Sequence, residues 1–205
     1  MPYVALHNHS YYSLLDSAMS PEDIVTAAAG YGMTAAGLVD RDTVAGAVEF
    51  YKKAKAAGIH PVIGSEVTMN SAGRGPAAEA RPTLVLLVES AAGYTNLCRL
   101  LTTRIEHPDG VTLEDVNRYR SGLICLCGAE SEAAARVRAN EPAEPVIEQY
   151  REIFGHNFAL EISPHNEEDL RLSRVFAALG RRLRIPLAAT ADAHYRAPED
   201  RLRYD

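Results

Sequence analysis

The stretch AGAVEFYKKAKAAGIHPVIGSEV, residues 45–67, holds a helix and a strand in succession. Val48, Phe50 and Lys53 lead in helical rhythm to Gly58, and Pro61 to Val67 is a short apolar run that carries the acid Glu66 near its end. Such a pair is the repeating unit of a parallel sheet, because the crossover helix returns the chain beside its previous strand. The same alternation extends outward in both directions. Strands are expected at Tyr3 to Leu6, Ala35 to Val39, Pro61 to Val67, Thr83 to Val88, Gly122 to Leu126, Phe158 to Ile162 and Pro186 to Thr190, seven in all. Ser20-Pro21-Glu22-Asp23 opens a helix with an N-cap serine, proline at the first position and acid in the first turn, and Gly30 and Gly32 mark its end. Further helices are expected from Tyr94 through Leu97 and Leu100 toward Ile105, over Pro145 to Phe154 and over Glu167 to Leu183. Met69 to Ala80 reads as a flexible loop, and Glu130 to Glu144 as a short helix followed by a turn at Pro142. The pattern predicts an α/β chain with a mostly parallel sheet, closed or nearly closed into a barrel, as one domain over residues 1–205.

Composition bounds the function. An apolar content of 47% with 23% charged residues is ordinary for a globular protein. The net charge of −6 gives no general attraction to phosphate backbones, so autonomous nucleic-acid binding needs a local basic patch or a bound metal. Cys98, Cys125 and Cys127 are an odd set that argues against a disulfide framework and for a reducing compartment. With no long apolar run and no signal-peptide pattern, the expected location is cytoplasmic, without a membrane partner.

The chemistry gathers where strands end. His7 and His9 follow the first strand, Asp40 and Arg41 the second, Glu66 ends the third, Glu161 and His165 lie at the end of the sixth, and Asp192 and His194 follow the last. In parallel barrels functional groups collect at the C-terminal ends of the strands. In each of the pairs His7/His9 and Asp192/His194 one residue separates the donors, which places both on one face of an extended chain. Imidazole with carboxylate suits zinc, manganese or iron better than calcium or magnesium.

The segments LHNHSYYSLLDSA (6–18), AGAVEFYKKAKAAGIHPVIGSEV (45–67), GYTNLCRLL (93–101), YREIFG (150–155) and ATADAHYRAPED (189–200) together resemble the PHP (polymerase and histidinol phosphatase) family of metal-dependent phosphoesterases. Within it they are most similar to the N-terminal domain of bacterial DNA polymerase III alpha subunits and error-prone polymerases. The resemblance implies a distorted (β/α)7 barrel, the PHP fold, with up to three metals held by nine ligands. Carried over by motif, six of those are present: His7, His9, Asp16, Glu66, Asp192 and His194.

Three positions depart. Asp40-Arg41 stands where the family has Asp-His, Thr83 where it has histidine, and Ala129 where it has cysteine. A guanidinium has no lone pair for a metal, and alanine no donor. The resemblance thus implies one or two divalent metals (zinc, manganese or iron) in a partly degraded site. Arg41 is a candidate contact for a substrate phosphate, and His165 matches a histidine often seen in the polymerase branch. Three functions follow as alternatives: a phosphoesterase or 3′-5′ exonuclease acting on DNA or another phosphate ester; a weakened domain that supports other polymerase domains or subunits; and an independent small-molecule phosphatase. Past RAPEDRLRYD the polymerase branch continues into its palm, so polymerisation by this chain alone is not expected.

Overall fold

A computed structural model describes residues 3–70, 81–196 and 200. The chain divides into two compact units, Met1–Glu66 with Thr190–Asp205, and Val67–Ala189. Most of the expected Met69 to Ala80 loop lies outside the described residues. Among the described residues no helix is long and apolar enough to cross a membrane.

The first unit contains α1 (Pro21–Gly30), β1 (Ala35–Leu38), α2 (Ala47–Ala56) and most of β2 (His60–Thr68). Helix α1 starts as its sequence dictates: the Ser20 hydroxyl accepts from Asp23 N–H while the Asp23 carboxylate accepts from Ser20 N–H, a complete capping box. Helix α2 is the one read from residues 45–67, and β1 pairs with β2 in parallel from Ala35↔His60 to Leu38↔Ile63. Ile24, Val25, Ala28, Leu38, Phe50 and Ala54 form the core between these elements.

The strand expected at Tyr3 to Leu6 is reduced to a single parallel bridge, Ala5 with Ala36. Asn8 is the reason. Its side-chain amide donates to Gly37 O (2.9 Å), a carbonyl that a ladder would otherwise use, and to Ala5 O (3.0 Å), which also takes Gly37 N–H at 2.7 Å. The chain nevertheless runs tight against β1, since a Cβ at Gly37 would lie 2.0 Å from the Leu6 carbonyl oxygen.

The second unit holds β3 (Thr83–Val88), α3 (Ala91–Glu106), α4 (Leu113–Tyr119), β4 (Leu123–Cys127), α5 (Glu132–Arg138), α6 (Glu144–Phe154), β5 (Phe158–Ile162), α7 (Glu167–Leu183) and β6 (Leu187–Ala189). Strands β4, β5 and β6 pair in parallel, but β3 pairs with β4 antiparallel, from Val85↔Leu126 to Val88↔Leu123. This corrects the simple alternation. The sequence reading passed over α4, whose own capping box joins Thr112 and Asp115. Helices α3 and α4, packed on one another, lie between the two strands, and the chain re-enters the sheet at the end where β3 finished, Glu89 N–H donating to Gly122 O at 2.9 Å. Consequently the start of β3 lies beside the end of β4, and Thr83 N–H donates to Glu130 O at 2.9 Å.

Candidate metal centre

Extended segments of the first unit carry the donors. Asn8 and Ala193 form a parallel bridge in which His9 N–H donates to Ala193 O (2.9 Å) and Ala193 N–H to His7 O (3.1 Å). His7 and His9 flank Asn8, and Asp192 and His194 flank Ala193, so this bridge brings the two pairs together. A second parallel bridge, Arg41 with Glu66, brings in the ends of the next two segments.

Asp192 Oδ1 is the hub. It lies 3.2 Å from His7 Nε2, 3.3 Å from His9 Nε2 and 3.2 Å from His194 Nε2, while the His7 and His9 nitrogens are 3.0 Å apart. Glu66 Oε2 is 3.8 Å from His9 Nε2, and Asp16 Oδ2 is 3.8 Å from His9 Nδ1. The rings of His9 and His194 stack with centroids 4.4 Å apart. Asp192 itself holds φ at 41°, a left-handed conformation that costs about 1–3 kcal/mol outside glycine and persists where its surroundings over-determine it.

His194 Nδ1 faces the Asp16 carbonyl oxygen at 2.7 Å, a group that can only accept, so this nitrogen carries a proton. In the neutral ring Nε2 then presents a lone pair to a carboxylate oxygen, which is repulsive unless a proton or a cation stands between them. Burial of Asp192 opposes its ionisation, but the charge of His7 and a hydrogen bond from His194 prevail and hold its carboxyl well below the usual range. Burial likewise opposes charge on His194, and Asp192 with Asp16 overcomes it, so the imidazole holds its proton more tightly than usual. These groups are arranged to share positive charge.

Arg41 supplies some of that charge. Its Nη2 is 2.9 Å from Glu66 Oε2 and its Nε 3.5 Å from Asp16 Oδ2. Asp40, next to it, is almost completely buried and accepts from Ser10 N–H (2.6 Å), Ser10 Oγ (2.8 Å) and Ser13 Oγ (2.8 Å). The sequence reading gave Ser10 and Ser13 no role, although both lie within the HNHSYYS run that flags the site.

The sequence pattern of the PHP domain matches residues 5–165. The chain belongs to the PHP domain family. Among its relatives, the DNA polymerase III alpha subunit of Borreliella burgdorferi is 33% identical over 99% of this chain and 19% of its own length. The error-prone DNA polymerase of Symbiobacterium thermophilum is 32% identical over 100% of this chain and 20% of its own length. The chain thus spans about a fifth of the length of these curated relatives. Among solved structures, an amidohydrolase from Chromobacterium violaceum superposes with a TM-score of 0.69 at 16% identity, covering 96% of this chain and 89% of that one. A candidate metal-dependent phosphoesterase from Bifidobacterium adolescentis gives 0.65 at 13% identity, covering 95% and 89%. These likenesses show the fold and support the expected α/β class, the distorted barrel of the PHP type.

The residues of this PHP chain fit a divalent metal. His7, His9 and Glu66 form one possible triad and His9, Asp192 and His194 another, with the donor atoms of each lying within 4.8 Å of one another. In addition, Asp16 Oδ2 is buried and no hydrogen bond reaches it. All six ligands carried over by motif therefore lie in the first unit, five of them in these two triads and Asp16 beside His9 and His194.

The remaining positions belong to the second unit. Antiparallel pairing of β3 and β4 brings Thr83 and Ala129 to the same end of that sheet. Glu161 lies buried over Gly128, where a Cβ would sit 2.1 Å from Glu161 Oε2. Cys127 is fully buried, burial pushes its thiol up to about 12, and it belongs to no donor triad among the described residues. His165 is exposed, just before the α7 cap Asn166, and belongs to no donor triad among the described residues.

Proposed function

We propose that this chain is the metal-dependent phosphoesterase domain of a polymerase III alpha-like protein, with a site reduced to one or two metals and a phosphodiester such as a DNA 3′ end as substrate. The observation that carries this reading is the convergence of three imidazole nitrogens on one Asp192 oxygen within 3.2–3.3 Å. Zinc, manganese or iron would be held by His7, His9, Glu66 and Asp192, with Asp16 and His194 alongside. When bound, such an ion supplies Lewis acidity and a water of lowered pKa. Arg41 sets its charge against Glu66 and Asp16, and its partly exposed guanidinium is the group we assign to contact a phosphate oxygen.

A second reading rests on the same arginine. A permanent cation between Glu66 and Asp16 lets the centre hold together without a full metal complement, as suits a domain that supports neighbouring polymerase domains or subunits. Metal content after chelation and re-addition of zinc or manganese, paired with manganese-dependent phosphodiester hydrolysis by wild type and Asp192→Asn, separates the two. One or two metals with hydrolysis lost in the variant support the phosphoesterase. Metal uptake without hydrolysis, or none of either, leaves the supporting role.

A further inference from the structure

We propose that Ser13 and Asp40 are positioning residues for His9, keeping a proton on Nδ1 so that Nε2 is the nitrogen left for the metal position. This rests on the reading above that His9 is a ligand. Ser13 Oγ has three polar neighbours: Asp40 Oδ1 at 2.8 Å, the Arg41 backbone N–H at 3.0 Å and His9 Nδ1 at 3.3 Å. A serine hydroxyl has one proton and two lone pairs. The Arg41 amide can only donate to it. Asp40 is an acceptor on both oxygens, because Oδ1 also receives Ser10 N–H at 2.6 Å and Oδ2 receives Ser10 Oγ at 2.8 Å. The Ser13 proton is therefore committed to Asp40, and toward His9 the hydroxyl can only accept.

The other neighbour of His9 Nδ1 agrees. Asp16 Oδ2, at 3.8 Å, is also an acceptor. Water does not compete, since Ser13 is 2% exposed, Asp40 1% and His9 0%. His194 is set in the same way by a backbone carbonyl. The difference is that His9 depends on two side chains that themselves never reach the metal position, the usual means by which an outer partner orients a ligating imidazole. The same hydroxyl receives the Arg41 amide, so the residue that departs from the family motif is tied to this relay through its backbone.

Long-range 1H–15N correlation spectra of the labelled full chain at pH 8, before metal is added, read the tautomer directly. Wild type should show His9 protonated on Nδ1. Ser13→Ala should shift His9 toward the Nε2-protonated form and weaken zinc binding about 10- to 100-fold, and Ser13→Thr, which retains the hydroxyl, should keep both properties. Should Ser13→Ala fail to fold by circular dichroism, Ser13→Cys keeps the volume with a far weaker hydrogen-bonding group and gives the same comparison. An Nε2-protonated His9 in wild type, or a tautomer indifferent to loss of the hydroxyl, overturns the relay. If wild type takes up no zinc while the tautomer still follows Ser13, the metal reading fails and the relay stands.

Discussion

Arg41 Nη2 lies 2.9 Å from Glu66 Oε2, a guanidinium set against a carboxylate whose side chain is only 3% exposed. Removing the cation leaves Glu66 without this partner in a poorly solvated place. Since the Arg41 side chain is itself 41% exposed, the loss is screened. We expect Arg41→His to cost about 1–2 kcal/mol without metal and to raise zinc and manganese affinity, because a neutral nitrogen replaces a competing charge. Thermal melts with and without zinc check this: the variant should melt lower than wild type without metal and gain more from it. Equal gains would mean that Arg41 does not compete with metal.

Cysteine labelling probes the second unit. Burial pushes the Cys127 thiol up to about 12 and raises Cys125 further above its ordinary value, whereas Cys98 is only partly buried on α3. The thiolate is the reactive form. Iodoacetamide at pH 8 should label Cys98 alone in the folded chain and all three cysteines in urea, read by mass spectrometry. Rapid native labelling of Cys127 would show that it is not packed away from solvent.

Most elements were legible because each carries its own local signal. Ser20 and Asp23 announce α1 through a capping box, residues 84–88 are a continuous apolar run, Phe158–Ile162 is one broken by Glu161 alone, and α7 has the bounds its amphipathic pattern gave. The donors were legible for a similar reason, since spacing by two residues in extended chain carries a geometric consequence. What stayed hidden depends on partners distant in sequence. Asn8 breaks the first strand by bonding Gly37, 29 residues away, and Ser13 acquires a role through Asp40, 27 residues away. The antiparallel sense of β3 and β4 had no local sign, since two helices also separate the parallel pair β4 and β5, and α4, a seven-residue helix with one fully buried residue, was too short for its periodicity to register.

Gly37 should tolerate no side chain. A Cβ there would lie 2.0 Å from Leu6 O and 2.7 Å from Leu6 C, backbone atoms that cannot rotate aside. Because Leu6 leads directly into His7, Gly37→Ala should both destabilise the chain by about 3 kcal/mol or more and disturb the metal centre. Urea unfolding together with zinc titration tests this. A variant as stable as wild type would show that the segment before His7 is not held against β1.

Acid stability should reflect the α1 cap. The Ser20 hydroxyl and backbone N–H, aided by Arg196, hold the Asp23 carboxyl below its ordinary value of 3.8 against a smaller effect of burial. A carboxyl depressed by folding contributes stability that is full above the unfolded value and is lost as pH falls through the folded value. Asp23→Asn should therefore cost about 0.5–1 kcal/mol at pH 6 and progressively less below about pH 4. The difference between the two chemical-denaturation curves at pH 6 and pH 3 measures it, and a difference that does not shrink would assign the cap's strength to neutral hydrogen bonding.

Asp192 combines a strained backbone with the hub oxygen, and two substitutions separate those properties. Asparagine tolerates the left-handed φ of 41° and keeps an oxygen acceptor but carries no charge. Alanine lacks the acceptor and is also poorly suited to that φ. Asp192→Ala should accordingly be about 1 kcal/mol less stable than Asp192→Asn in urea unfolding at pH 7. Both should lose zinc affinity by at least about tenfold, because the oxygen shared by His7, His9 and His194 loses its charge in one and disappears in the other. Asparagine binding zinc as tightly as aspartate would remove Asp192 from the ligand set and leave His7, His9 and Glu66 as the triad that holds the ion.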